Sequence, residues 1–232
     1  MNNIKKIFCK WIAFDLDGTL YTSEPVLYDI YASSVDEYNN IHNTSIPTPT
    51  REDVFRWVGY PVRHIFKMLF PLLEETERIN LSNWILKKLI SNIEAGAGEL
   101  IPGVEFTLNK LQHLGFNMYV VTNGRPAYLQ AVINSFNLKR FFKNIYSIKD
   151  GVEADKGDLL LRLIREENIS FRDGVMVGDR LSDAEAARTA KIPFIGCNFG
   201  HGNTDELTSS VIILKSFPEI LKIIEINLAS SC

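Results

Sequence analysis

Two aspartates one residue apart, Asp15 and Asp17, stand directly after the apolar run Trp11-Ile12-Ala13-Phe14. Four bulky residues are too few for a helix and fit a strand buried on both faces. The run stops at Phe14, so the aspartates fall at or just past the C-terminal edge of that strand. Open α/β sheets hold their ligands at such edges. Residues i and i+2 of an extended chain point to the same side, so Asp15 and Asp17 are expected to face one pocket, with Gly18 turning the backbone behind them. Side by side, two carboxylates repel each other unless a divalent cation or a shared proton intervenes. With a cation present, one can stay an ionised nucleophile while the other carries a proton, a division of labour that suits covalent phosphoryl transfer. A bare Asp-x-Asp-Gly serves equally well as a polar turn. Its place between a buried strand and Thr19-Leu20 makes the pattern more specific.

The segment 21–100 reads differently. Val26, Leu27, Ile30, Tyr31, Val35, Tyr38 and Ile41 recur at helical spacing, as do Val54 to Val58, Val62 to Phe70, and the run from Trp84 to Ile93. About four amphipathic helices and no strand are expected here. Pro47-Thr48-Pro49-Thr50 separates the first helix from the second, with Thr50 as N-cap, and Gly96-Ala97-Gly98 marks the far border as a hinge. Beyond Pro102 strands alternate with helices. Helices are expected over 102–114, 125–137, 155–167, 182–190 (N-capped by Ser182) and 217–228, and strands over 117–122, 144–148, 174–178, 193–197 and 211–214. Alternation of this kind implies a parallel sheet with right-handed crossovers. The strand at Trp11 must join it, since a lone buried strand is unstable. The expected fold is therefore α/β: a Rossmann-like three-layer parallel-sheet core (1–20 and 101–232) with an all-helical domain (21–100) inserted after the first strand.

Further polar residues fall at the same strand edges. Thr122-Asn123-Gly124 closes one apolar strand, where a hydroxyl and backbone amides at a helix start form a natural anion site. Gly178-Asp179-Arg180 closes another, and Asp183 lies one helical turn on. Lys156 stands in the first turn of a helix, against the dipole, which calls for a compensating anion nearby. Taken singly, each of these is also an ordinary turn residue, cap or surface charge.

Together, Asp15-Leu16-Asp17-Gly18-Thr19-Leu20, Val120-Val121-Thr122-Asn123-Gly124, Lys156, and Val177-Gly178-Asp179 with Asp183 resemble the four ordered motifs of the haloacid dehalogenase superfamily. The helical insert resembles the cap of its phosphoglycolate phosphatase-like branch. This resemblance implies that Asp15 is the nucleophile, and that Asp17 is the general acid and then the base, with its backbone carbonyl on the metal. Thr122 and the Asn123 amide would bind phosphoryl oxygens beside Gly124, and Lys156 would neutralise the nucleophile and the transferring group. Asp179 would bind Mg²⁺ together with Asp15 and Asp17, with Asp183 assisting the metal shell or holding Lys156. An acid-rich site that must receive a dianion needs a cation, and an oxygen-only ligand set suits Mg²⁺ rather than Zn²⁺. The loop Val58-Gly59-Tyr60-Pro61-Val62-Arg63 resembles the family's specificity loop, with Arg63 placed to meet a substrate carboxylate or second phosphate. Three positions depart from the family pattern: Gly157 stands for a proline, Arg180 for a small hydroxyl residue and Lys191 for a glycine. Arg180 could reach a substrate anion or face solvent.

Composition closes off other classes. A net charge of -3 offers no basic surface for nucleic acid or anionic membrane, and no apolar run approaches a membrane span. The N-terminus does not read as a signal peptide. Cys9, Cys197 and Cys232 show neither metal spacing nor a disulfide framework, which fits a cytoplasmic location. The reading is a phosphatase for a small-molecule phosphomonoester, acting through an aspartyl-phosphate as a monomer or homodimer. A phosphosugar mutase shares the same motifs. A receiver-type or inactive phosphate-binding module is the reading from another class, and the adjacent Asp15 and Asp17 speak against it. Members that cleave carbon–halogen bonds lack an acid at the position of Asp17, which speaks against dehalogenation.

Overall fold

Both faces of the strand at Trp11 are covered, and this explains its unbroken apolar run. In the computed structural model, which describes residues 6–148 and 155–226, β1 (Ile7–Cys9) and β2 (Trp11–Phe14) are followed by β3 (Tyr21–Thr22). Then come α1 (Glu24–His42), α2 (Arg51–Arg56), α3 (Val62–Leu69), α4 (Glu75–Glu94) and β4 (Glu99–Leu100). The remainder alternates as α5 (Val104–His113), β5 (Asn117–Thr122), α6 (Pro126–Ser135), β6 (Asn144–Ser147), α7 (Lys156–Glu166), β7 (Gly174–Gly178), α8 (Leu181–Ala190) and β8 (Phe194–Cys197). It closes with β9 (Ile212–Leu214), α9 (Ile220–Ile223) and β10 (Ile224–Ile226).

The main sheet runs β6-β5-β2-β7-β8-β9, every pair parallel. Alternate residues of β2 serve opposite cores. Ile12 and Phe14 join Met118, Val120, Val175 and Val177 against α5, α6 and α9. Trp11 and Ala13 join Tyr119, Val121 and Met176 against α7 and α8. The result is the expected α/β three-layer sheet. Trp11 lies flat against Gly174, where an added Cβ would stand 2.0 Å from its ring, and its Nε1 donates to the Ser170 carbonyl at 2.8 Å. Gly174 is thus fixed by close approach rather than by backbone conformation.

Helices α1 to α4 lie between β3 and β4 and carry their own hydrophobic cluster, with Leu27, Ile30, Val35, Phe66, Leu81 and Ile85 among its members. Thr50 caps α2, its Oγ1 accepting from the Asp53 amide at 3.1 Å. The expectation of no strand in this segment needs one correction. Tyr21–Thr22 and Glu99–Leu100 pair antiparallel at the base of the helical block, a ribbon too short for alternation to show in the sequence. Gly96 and Gly98 both take positive φ there, and the Tyr21 hydroxyl fills the space where a Gly98 side chain would begin. Helix α4 begins at Glu75, well before the apolar run at Trp84, because its first two turns are largely polar.

The C-terminal expectation is also corrected. Instead of one helix from Phe217, a single turn and short α9 give way to β10, which pairs parallel with β1. Ile224-Glu225-Ile226 alternates at the strand period, and lysines around Ile7-Phe8-Cys9 disguise its partner. The end of the expected helix, Leu228, lies outside the described residues, as do Lys149 to Ala154. Among the described residues no helix is long and apolar enough to cross a membrane. Cys9 and Cys197 are free and buried; Cys232 lies outside the described residues.

Candidate active site

The sheet register brings the site together. Phe14 stands level with Val120 on β5 and Val177 on β7, so the residues just beyond all three strands emerge at one edge. The Asp15 amide still donates to the Val177 carbonyl at 2.9 Å, which fixes where its side chain leaves the sheet. Past it the chain doubles back. The Leu16 carbonyl accepts from the Leu20 and Tyr21 amides, and Gly18 takes φ +78. An added Cβ on Gly18 would stand 2.4 Å from the Asp179 carboxylate, so this turn needs glycine for conformation and for space.

Three carboxylates converge there. Asp15, Asp179 and Asp183 are fully buried, and one oxygen from each lies within 4.8 Å of the others. Among the described residues one ammonium faces them: Lys156 Nζ lies 2.8 Å from Asp15 Oδ1 and 2.6 Å from Asp183 Oδ1. Lys156 opens α7 behind the Asp155 cap, and Gly157 lets that helix approach α8, since a Cβ would meet the Thr189 side chain at 3.0 Å. Here the departure from proline serves the close packing of two helices. Asp183 Oδ2 accepts the Arg180 amide at 3.0 Å, which makes Arg180 the N-cap residue of α8 and corrects the assignment of Ser182. At the far end of α8, Lys191 takes φ +56, a left-handed conformation that explains why a glycine would be at home there.

Asp179 is held from the other side. Its Oδ2 accepts the backbone amides of His201 at 2.6 Å and Gly202 at 3.2 Å, and Thr19 Oγ1 donates to Oδ1 at 3.4 Å. Asp15 Oδ2, in contrast, has no hydrogen-bond partner among the described residues. Burial raises the Asp15 carboxyl well above its usual range, and Asp183 raises it further against the opposing pull of Lys156. Burial and Asp183 likewise lift Asp179 to about 7. Burial alone would lower the Lys156 ammonium, but Asp15 and Asp183 outweigh it and raise it. Three buried carboxylates, one ammonium and an unpartnered carboxylate oxygen fit a divalent cation held by hard oxygen donors.

The carboxylate of Asp17 lies outside this cluster. Its Oδ1 accepts a short hydrogen bond from the Tyr128 hydroxyl on α6. Burial raises Asp17 to about 6, against the lowering effect of that bond. Thr122 is buried at the end of β5, with its Oγ1 accepting the Gly124 amide at 3.0 Å. Asn123 reaches across to the helical block, its Nδ2 donating to the Gly59 carbonyl at 2.9 Å.

Two arginines differ from expectation. Arg63 is not brought to the carboxylates: its Nε pairs with Glu75 at 2.6 Å, its side chain is 81% exposed, and it borders an outer groove. As the second residue of α3, it pairs with the first residue of α4, in a groove that Asn123 and Arg125 also line. Arg180 neither faces solvent nor stands open to a ligand. Its guanidinium donates to the carbonyls of Phe55, Arg56 and Val58, pairs with Glu206, and lies over the Tyr60 ring.

Sequence reasoning missed Tyr128, His201 and Gly202. Tyr128 reads as one more apolar-face residue of a helix, and the other two act through backbone amides, which carry no residue-type signal. A cavity runs from Asp17, Gly124 and Tyr128 up into the helical block, between α1, the 58–62 loop, α3 and α4.

Comparison with known proteins agrees with this geometry. A family model described as haloacid dehalogenase-like hydrolase matches residues 12–197. Phosphoglycolate phosphatase of Escherichia coli (strain K12) is 26% identical over 245 residues, covering 95% of this chain and 94% of that protein. The Agrobacterium fabrum phosphoglycolate phosphatase is 29% identical over 209 residues, covering 86% of each. Among solved structures, a predicted phosphoglycolate phosphatase from Haemophilus somnus 129pt superposes with a TM-score of 0.81 at 24% identity, covering 92% of this chain and 97% of the other.

Proposed function

The chain belongs to the haloacid dehalogenase-like hydrolases and acts on phosphate esters; from that footing we propose that it is a Mg²⁺-dependent, cytoplasmic phosphatase of a small phosphomonoester, working through an aspartyl-phosphate. One observation carries the reading. Asp15 is buried with one oxygen held by Lys156 and the other unpartnered, at the edge of an acidic cluster suited to a cation.

In this reading Asp15 Oδ2 attacks phosphorus, and the bond from phosphorus to the ester oxygen breaks. Asp17 gives its proton to the departing oxygen, releasing the alcohol. Asp17, now ionised, takes a proton from water as that water attacks the aspartyl-phosphate, which restores the Asp15 carboxylate and frees inorganic phosphate. Asp17 at about 6 is poised for both transfers near neutral pH. Lys156 neutralises Asp15 and the equatorial phosphoryl oxygens. Thr122 Oγ1, which accepts the Gly124 amide, and the amide of Asn123 line the anion side. Asp15, Asp179, Asp183 and the backbone of Asp17 would hold Mg²⁺, which would offset the charge of the incoming phosphate. The helical block, residues 21–100, acts as a cap that excludes bulk water.

The testing experiment measures phosphate release from a panel of phosphomonoesters with Mg²⁺ and with EDTA. Release that depends on Mg²⁺ is expected. Isomerised sugar phosphate without release, or no reaction at all, would overturn the reading.

A second expectation concerns pH. The Tyr128 hydroxyl stabilises ionised Asp17, so its removal in Tyr128→Phe raises the Asp17 pKa. The acid then survives to higher pH, and the alkaline limb of kcat/KM is expected to move up by about one unit or less. An unmoved or lowered limb would place the acid elsewhere.

A further inference from the structure

Asp179 is oriented by a loop that lies outside its own strand. After β8 the chain runs through Gly200-His201-Gly202, and the amides of 201 and 202 hold Asp179 Oδ2 at 2.6 and 3.2 Å. These amides fix how the carboxylate is turned toward Asp15 and Asp183. Both glycines serve close approach. An added Cβ on Gly200 would run into the Asp179 carboxylate, and one on Gly202 into the Asp179 carbonyl. Within this tripeptide the histidine alone has a side chain by which the loop is gripped.

That side chain is held in two places. Its ring edge lies against Gly18, where an added Cβ would stand 2.8 Å from Cδ2. Its Nδ1 lies 3.0 Å from Glu24 Oε1, and only 4% of the side chain is exposed. Burial lowers the pKa of the ring against the opposing effect of Glu24, so the ring is neutral near pH 7 and carries one N–H. An ionised carboxylate only accepts, which puts that proton on Nδ1. Nε2, buried and without a hydrogen-bond partner among the described residues, is then the bare nitrogen. Glu24 is the first residue of α1, where the chain enters the helical block. The loop that aims Asp179 is therefore tied to the start of that block by a hydrogen bond between residues 177 positions apart.

We propose that His201 is a positioning residue for cation binding: its ring, held by Glu24 and packed on Gly18, sets the two backbone amides that aim Asp179 at the acidic cluster. This rests on the Mg²⁺-dependent reading above and deepens it, adding two residues that touch neither the cation nor the substrate.

The test titrates Mg²⁺ into the full chain by calorimetry, with no substrate present. Glu24→Ala and His201→Ala are each expected to weaken the Mg²⁺ Kd by at least about 5-fold, since groups that support a metal ligand govern affinity nearly as the ligands do. The double variant should lose no more than the larger single loss, because both changes remove the same contact. Glu24→Gln should stay within about 2-fold of the parent, as its side-chain carbonyl still accepts from Nδ1. Unfolding midpoints in EDTA confirm that each variant is folded. If His201→Ala does not fold, the comparison of Glu24→Ala with Glu24→Gln decides alone. Unchanged affinity in folded Glu24→Ala, single losses that multiply in the double variant, or an equal loss in Glu24→Gln overturns the inference and leaves the phosphatase reading standing. No Mg²⁺ binding by the parent chain overturns the inference and the Mg²⁺ dependence together.

Discussion

Asp15→Asn is expected to abolish turnover, with a loss of at least about 10³-fold in kcat. The amide keeps the shape of the carboxylate but is no nucleophile, and no other described carboxylate occupies its position between Lys156 and the end of β2. The fold should survive. Burial and Asp183 both oppose a charge on Asp15, so the neutral amide removes repulsion along with one ion-pair partner of Lys156. An unfolding midpoint in EDTA at or above that of the parent is the expected result. The rise in that midpoint on adding Mg²⁺ should shrink, since one of three clustered carboxylates is gone. Retained turnover in a folded Asp15→Asn protein would remove the aspartyl-phosphate from the scheme.

Lys156→Met is expected to damage stability and activity together. Methionine fills much of the same volume, so the change is chiefly electrostatic. The ammonium now lies between Asp15 and Asp183 at 2.8 and 2.6 Å, and all three groups are buried. Removing one member of a buried ion cluster leaves uncompensated charge and costs about 3–5 kcal/mol. The loss should depend on pH. The folded pKa values of Asp17 and Asp179 are already raised, to about 6 and about 7. A carboxyl with a raised folded pKa binds its proton in the native state where the unfolded chain has released it. Native stability therefore falls as pH climbs from the ordinary carboxylate value toward the raised one. Without Lys156 the raised values climb further, so the variant should be near parental stability at pH 5 and much weaker at pH 8 in EDTA. Lys156 itself has a raised pKa, so its own contribution is complete across this window and fades only in strong alkali. Mg²⁺ should recover part of the stability at pH 8, while kcat stays down by at least about 10²-fold for want of a charge on the phosphoryl oxygens. A pH-independent loss, measured by denaturant unfolding at both values, would show that packing and not charge is what Lys156 supplies.

Much of the core was legible because buried parallel strands advertise themselves. Asn117–Thr122 and Gly174–Gly178 are apolar runs with abrupt polar ends, and the observed bounds of β5 and β7 coincide with those runs. Since strand ends set where Asp15, Thr122 and Asp179 emerge, one reading of apolar boundaries located the sheet edge. The pairing of β1 with β10 was hidden because three-residue strands carry too little periodicity and β1 is flanked by lysines. Arg63 and Arg180 were misjudged for a common reason. Residue type says that an arginine will find acceptors, but not which ones the tertiary fold presents. Glu75 stood beside the first, and the exposed carbonyls at the end of α2 beside the second. Tyr128 was hidden by degeneracy, since an aromatic at helical spacing fits packing as well as a hydrogen bond to Asp17.

Arg180 also has a thermodynamic meaning. Its backbone amide binds Asp183, while its guanidinium grips the carbonyls of Phe55, Arg56 and Val58 on the helical block. Lifting that block away would break the guanidinium bonds of the very residue whose amide orients an acid of the cation cluster. Seating of the block and filling of the cluster would thus share a single residue, and linkage requires any influence between them to be mutual. If seating tightens cation binding by some factor, the cation tightens seating by the same factor. An empty cluster and a raised block would then favour one another.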